Sequence, residues 1–237
     1  MGGSGFTFKR FHVDHGRCAM KVGTDGVLIG AWCRVPVEGR ILDIGTGTGL
    51  IALMAAQRSP HARVTAIDVD AACVAQARGN VAASPWGGRI EVVGLPLQEF
   101  FPQERFDAIV SNPPYFEESL LPPDGRRTTA RHTRSLSFQD LARGVARLLA
   151  EGGRFSLILP AGGAERFLSV ARGALYLTRR CDVWTTPSSG VRRVMMELAP
   201  RPAGVVPETA RLVIEDGGES RYSAEYRALT RDFYLKF

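Results

Sequence analysis

From residue 40 the chain alternates two kinds of apolar pattern. Short, nearly continuous apolar runs occur at "RILDIG" (40–45), "RVTAID" (63–68), "RIEVV" (89–93), "FDAIVS" (106–111) and "RFSLILP" (154–160). Runs of that length, rich in β-branched residues, predict buried strands. Between them, residues 49–58, 71–83 and 137–150 read as helices. The last is opened by Ser137 with Asp140 three residues on, a capping-box spacing, and is closed in this reading by Gly152-Gly153. Strands alternating with helices predict a parallel sheet covered on both faces. After residue 160 the rhythm changes. "TRRCDVWTT" and "RRVMMELAP" are strand-like and separated by "PSSGV", a hairpin connection. "RLVIED" reads as a further short strand and "SAEYRALTRDFYLKF" as a closing helix with a packed C-terminus. Two segments, 6–32 and 117–134, show no usable period. The expectation is one α/β domain over 1–237: a lead-in (1–39), a core (40–160) and a C-terminal part of the same sheet (161–237).

Composition narrows this picture. A chain of 237 residues, 45% of them hydrophobic, can bury one sizeable core. No run approaches the roughly 18 apolar residues of a membrane span, and "MGGSGFTFKRF" lacks the apolar stretch and cleavage site of a signal peptide. Cys18, Cys33, Cys73 and Cys181 lie far apart with no C-x-x-C pair, so the reading is a reduced, cytoplasmic protein without a disulfide scaffold. His12, His15 and Cys18 are spaced at threes, but no fourth ligand follows, and no metal site is expected. The net charge of +6 raises the prospect of a polyanionic partner. Because only Lys9, Lys21 and Lys236 are lysine, arginine usage explains part of that charge.

The segment "LDIGTGTG" joins the first strand of the core to its first helix. Gly45, Gly47 and Gly49 allow a tight turn and close approach of a ligand, with helix N-terminal amides beside it. Asp68 ends the next strand, where a carboxylate can accept both hydroxyls of a ribose. The spacing is G-x-G-x-G, not the pyrophosphate pattern, and Asp43 precedes it. An acid there suits a ligand bearing an ammonium group. S-adenosylmethionine combines an ammonium, a sulfonium and a ribose diol, and is the cofactor these residues call for.

"SNPPYF" follows the fourth core strand. Prolines cannot donate to a sheet and hold φ near −65°, so the Asn112, Pro113, Pro114, Tyr115 turn is stiff. An exocyclic amino group is a poor nucleophile because its lone pair is delocalised. Two acceptors, the Asn112 side-chain oxygen and the Pro113 carbonyl, can take its N–H bonds and turn the lone pair outward without reorganisation. Tyr115 offers a face on which a base stacks.

These motifs resemble those of class I methyltransferases that modify amino or amide nitrogens. "RCAMKVGTDGVLIGAW", "DIGTGTGLIALMAAQR", "VSNPPYF", "ARHT" and "EYRALTRDFYLKF" are similar to the bacterial tRNA1(Val) adenine N6-methyltransferases. The likeness spans residues 8–237. It implies a Rossmann-like fold, with a mostly parallel seven-stranded sheet ending in an antiparallel hairpin, and methylation of the adenine at tRNA position 37. It further implies cofactor contacts from Lys21, Thr24, Asp43, Gly45, Thr46, Gly47, Gly49, Asp68, Val69, Leu97 and Asn112, with Lys21, Thr24 and Asp25 in a lead-in folded over the cleft. Asp25 equally reads as the cap of a helix starting at Gly26. One departure stands out. Many relatives carry an acid after the third strand that binds the cofactor's adenine, whereas this chain has Leu95 and Pro96. Backbone near Leu97, or Glu99, is the substitute in this reading.

"RRTTARHTR" crowds Arg126, Arg127, Arg131, His132 and Arg134 beside the turn. With Phe116, these are the expected RNA contacts, phosphate contacts positioning the strand and a splayed base entering the pocket. Two alternatives stay open: another amino-nitrogen substrate (guanine N2 of rRNA or a protein glutamine), and an RNA-binding module without turnover. A monomer and a weak dimer are both compatible with the sequence.

Overall fold

The five apolar runs become neighbours in one sheet. The computed structural model describes residues 5–18, 21–113, 136–202, 204–218 and 221–237. In it, β3 (Arg40–Ile44), β4 (Arg63–Ile67), β5 (Ile90–Val93), β6 (Phe106–Ser111) and β7 (Leu149–Pro160) are paired in parallel. β8 (Tyr176–Trp184) and β9 (Val191–Ala199) form the expected antiparallel hairpin, and β9 also runs antiparallel to β7. β10 (Glu208–Val213) pairs in parallel with β8. The order is β10-β8-β9-β7-β6-β3-β4-β5, eight strands among the described residues rather than seven, because the "RLVIED" region adds an outer strand.

Side chains alternate across each strand. On β3, Ile41 joins Leu53 and Ala52 of α2 (Leu50–Arg58), while Leu42 and Ile44 join Leu141 and Leu148 of α4 (Phe138–Leu148) on the other face. Burial on both faces is why this strand reads as an unbroken apolar run. Ser137 caps the helix as its spacing predicts: its hydroxyl oxygen accepts the Asp140 amide at 3.0 Å and its hydroxyl donates to the Asp140 carboxylate at 2.8 Å. Gly152-Gly153 does not end that helix. α4 stops at Leu148 and β7 begins at once, with the glycines inside it near a register irregularity between Phe106 and Ala108 of β6. A Cβ on Gly153 would lie 2.9 Å from the Phe106 carbonyl oxygen, so the glycine serves a close strand approach.

The lead-in has two parts. β1 (Gly5–Thr7) and β2 (His12–Asp14) make a small hairpin whose Phe8 and Phe11 are buried and stacked at 4.7 Å. Phe8 meets Tyr234, and the Lys9 ammonium donates to the Phe237 carbonyl, so the two ends of the chain are packed together. α1 (Thr24–Trp32) follows and lies against α2, with residues 26–31 buried. A helix enclosed on nearly all sides shows no polar face, hence no amphipathic period in the sequence. α3 (Ala71–Ala82), α5 (Ala161–Ala171) and α6 (Ala224–Thr230) complete the described helices.

Candidate active site

Strand order reverses beside β3: β4 lies on one side of it and β6 on the other. Open α/β sheets leave a crevice beyond the carboxyl ends of the strands at such a point. Here it is a cavity of about 1080 Å³, lined by Gly45–Thr48 after β3, Asp68 and Val69 after β4, Gly94–Glu99 after β5, and Ser111–Pro113 after β6. Lys21, Thr24 and Asp25 of the lead-in form another wall.

The glycine loop is built around positive φ. Gly45, Gly47 and Gly49 have φ of 71°, 55° and 84°, the left-handed region that side chains disfavour. The Gly45 and Thr46 amides donate to the Ile67 carbonyl, and the Gly47 amide donates to the Asp68 carboxylate at 2.8 Å. Asp68 therefore shapes the loop as well as facing the cavity. A Cβ at Gly45 would meet nothing within 4 Å, so the loop borders open space there, whereas at Gly49 it would touch Ala77 of α3. Gly49 and Asp43 do not line the cavity.

Asp43 sits behind the loop, 1% exposed. One oxygen accepts the Thr46 hydroxyl at 2.6 Å and the Ala52 amide at 3.2 Å. The other is buried without a partner among the described residues. Burial pushes this carboxyl up to about 7, the Thr46 and Ala52 hydrogen bonds oppose the rise, and the Asp68 charge adds to it. An open glycine cradle and an acid at the end of β4 together fit a ligand carrying a diol, with Asp43 supporting the cradle from behind.

On the β6 side, the buried Ser111 hydroxyl donates to the Ile44 carbonyl at 2.9 Å. That bond ties the start of the acceptor turn to the strand that carries the glycine loop. α1 closes in on the same spot: a Cβ on Gly26 would lie 4.0 Å from the Asn112 amide nitrogen. Asp25 does not cap α1, which begins at Thr24 after Gly23. Its carboxylate instead accepts from Nε of Arg193 at 2.8 Å, and Arg193 on β9 lines the cavity too. Sequence reasoning missed Arg193, 168 residues away from Asp25, and missed Ser111. On the β5 side, Leu97 is buried and its carbonyl already accepts from Arg147 at 2.9 Å, while Gln98 and Glu99 also line the cavity. Pro114, Tyr115, Phe116, Arg126, Arg127, Arg131, His132 and Arg134 lie outside the described residues.

The cysteine expectation is corrected. Cys18 and Cys73, 55 residues apart, form a disulfide with Cα atoms 4.8 Å apart, and both line the cavity. Only folding brings them together, so linear spacing held no sign of the pair. Cys33 and Cys181 are free and buried. No group of three potential metal ligands occurs among the described residues.

Comparison with known proteins identifies the family. The family described as the methyltransferase small domain matches residues 26–160. A "tRNA1(Val) (adenine(37)-N6)-methyltransferase" of Phocaeicola vulgatus is 51% identical over 231 residues, 97% of each chain. One of Bacteroides thetaiotaomicron is 47% identical over 232 residues, again 97% of each. Among solved structures, a predicted O-methyltransferase from Agrobacterium tumefaciens superposes with a TM-score of 0.68 over 88% of this chain and 96% of that one, at 20% identity, which speaks to the fold alone. TrmN from Thermus thermophilus gives a TM-score of 0.52 at 27% identity, covering 74% of this chain and 47% of that one. With a near-full-length likeness of this strength, this chain belongs to the methyltransferase small-domain family and, within it, to the tRNA1(Val) (adenine(37)-N6)-methyltransferases.

Proposed function

We propose that this protein transfers a methyl group from S-adenosylmethionine to N6 of the adenine at position 37 of tRNA1(Val), working in the cytoplasm. One observation carries the reading: the glycine loop after β3 and the Asn112–Pro113 turn after β6 open into a single cavity. When bound, S-adenosylmethionine supplies an electrophilic methyl carbon on sulfur.

The chain's own residues supply position and polarity. The loop at Gly45–Gly47, Asp68, Val69, Lys21 and Thr24 would hold the cofactor, with Asp43 supporting the loop from behind through Thr46. The Asn112 side-chain oxygen and the Pro113 carbonyl would accept the two N–H bonds of adenine N6, so that its lone pair faces the cofactor. Held by the proline-stiffened turn, these acceptors would stand in place before reaction and spare the transition state a reorganisation cost. A strong general base is unnecessary, because the N–H becomes acidic once the nitrogen has gained its fourth bond. Tyr115 and Phe116 would stack the splayed base, and the 126–134 segment would contact phosphates.

Asn112→Ala removes one acceptor and leaves the cofactor walls in place. Its methyl transfer to tRNA1(Val) should fall by about 100-fold or more, with cofactor affinity by calorimetry changed far less, since Asn112 is one of several cofactor contacts. Transfer at the normal rate would remove Asn112 from this role.

A further inference from the structure

The lead-in is gripped by one face of α3. Cys73, Gln76 and Asn80 lie three and four residues apart, so they share that face, and all three are buried. The Asn80 side chain exchanges hydrogen bonds with the Asp14 backbone at 2.9 and 2.8 Å, and the Gln76 side-chain oxygen accepts the Arg17 amide at 3.1 Å. The Cys18–Cys73 bond is the last of these tethers before the chain reaches Lys21 and Thr24 in the cavity wall. Its two ends touch the cofactor machinery. A Cβ on Gly47 would lie 3.7 Å from the Cys18 sulfur. Cys73 stands in the first turn of α3, its amide donating to Asp70, whose own amide donates to Asp68. Disulfides in reducing compartments are characteristically transient or sensing rather than structural.

We propose that Cys18 and Cys73 form a thiol–disulfide exchange site in the wall of the cofactor cleft, acted on by small thiols and their disulfides, and that the closed bond slows release of the cofactor product. The inference rests on the reading of this cavity as the cofactor cleft. In reduction, a thiolate entering through the cleft bonds to the Cys18 sulfur and the Cys18–Cys73 bond breaks, expelling Cys73 as a thiolate that takes up a proton. A second thiolate then attacks the mixed disulfide and frees Cys18, which is likewise protonated. Two electrons pass to the protein, two small thiols become one disulfide, and oxidation is the reverse. With the bond open, the Asp14 and Arg17 tethers persist, so loosening is confined to the wall from Cys18 to the start of α1.

The test equilibrates the full chain across graded ratios of glutathione to glutathione disulfide. Alkylation and mass spectrometry then read each cysteine, and the release rate of S-adenosylhomocysteine is measured on the same samples. Cys18 and Cys73 should titrate together while Cys33 and Cys181 do not pair. Release should be about fivefold faster or more in the reduced form, the factor that a tether of ordinary strength represents. Cys73→Ser should show the fast rate at every ratio. The Tm of the reduced form should fall by roughly 5–15 °C, which a bond of purely structural use would also produce, so the release rate decides. Equal release rates in the two forms, or failure of Cys18 and Cys73 to pair at any ratio, would overturn the proposal.

Discussion

Two carboxylates, one at the glycine loop and one in the C-terminal hairpin, are equally buried and differently treated. Asp43 is 1% exposed and Glu197 is 0% exposed. Glu197 on β9 is met by the guanidinium groups of Arg34, Arg154 and Arg179 at 3.5, 3.3 and 3.2 Å, with the Thr178 hydroxyl also donating to it. Arg179 lies directly across on β8 and also covers the Trp32 ring at 4.1 Å. Asp43 has only a hydroxyl and an amide, and keeps one oxygen without a partner among the described residues. A buried charge surrounded by cations holds strands together. One held by neutral donors alone stays behind the loop that it supports, at a cost to the fold at neutral pH.

The largest expected effect comes from stripping the paired acid. Glu197→Ala leaves three arginines facing an empty site and should cost about 3 kcal/mol or more, read as a lowered urea midpoint, with cofactor affinity unchanged. A loss below about 1 kcal/mol would show that Arg179 relaxes to solvent as the half-exposed Arg34 and Arg154 can, and that the contrast with Asp43 is false.

Asp43 should respond in the opposite sense. Its folded carboxyl titrates at about 7 against an ordinary 3.8, so between those values the folded state holds a proton that the unfolded state has released. Stability without cofactor should therefore fall as pH rises from about 4 through 7, by at most about 4 kcal/mol from this group. Asp43→Asn cannot ionise, and should flatten that part of the stability–pH curve and leave the variant no less stable than the parent at pH 8. An unchanged slope in the variant would assign the pH dependence elsewhere.

The smallest effect belongs to the half-buried pair between these extremes, Asp25 and Arg193. A cycle of Asp25→Asn, Arg193→Gln and the double variant should show coupling of about 0.5–1 kcal/mol in kcat/KM for tRNA, with the cofactor Kd unmoved. Additive effects would mean that the pair does not position the α1 end of the site.

What could be read along the chain was local. β6 at Phe106–Ser111 falls where its apolar run predicts, and the Ser137–Asp140 cap forms because its two members are three residues apart. Both linings of the cleft, the glycine loop and the acceptor turn, were visible as strand-ending motifs. α1 was legible only as one alternative, a helix from Gly26 capped by Asp25, because enclosure removes the polar face by which a helix announces itself. Gly152-Gly153 misled, because a glycine that ends a helix and one that admits a neighbouring strand look alike without that neighbour. The exchange site was invisible for the same reason. Cys18 and Cys73 mean nothing 55 residues apart until α3 lies against the lead-in.

The order of residues by itself determined the alternating elements, the sharp glycine turn after β3 and the end of β6 before Asn112-Pro113, since each depends on backbone preferences and neighbours within a few positions. Tertiary structure alone decided which acid is neutralised by arginines and which is met by neutral donors only, where Arg193 meets Asp25, and that two distant sulfurs share the cleft wall. Those outcomes depend on which groups meet once water is excluded, and burial and pairing are properties of the packed chain.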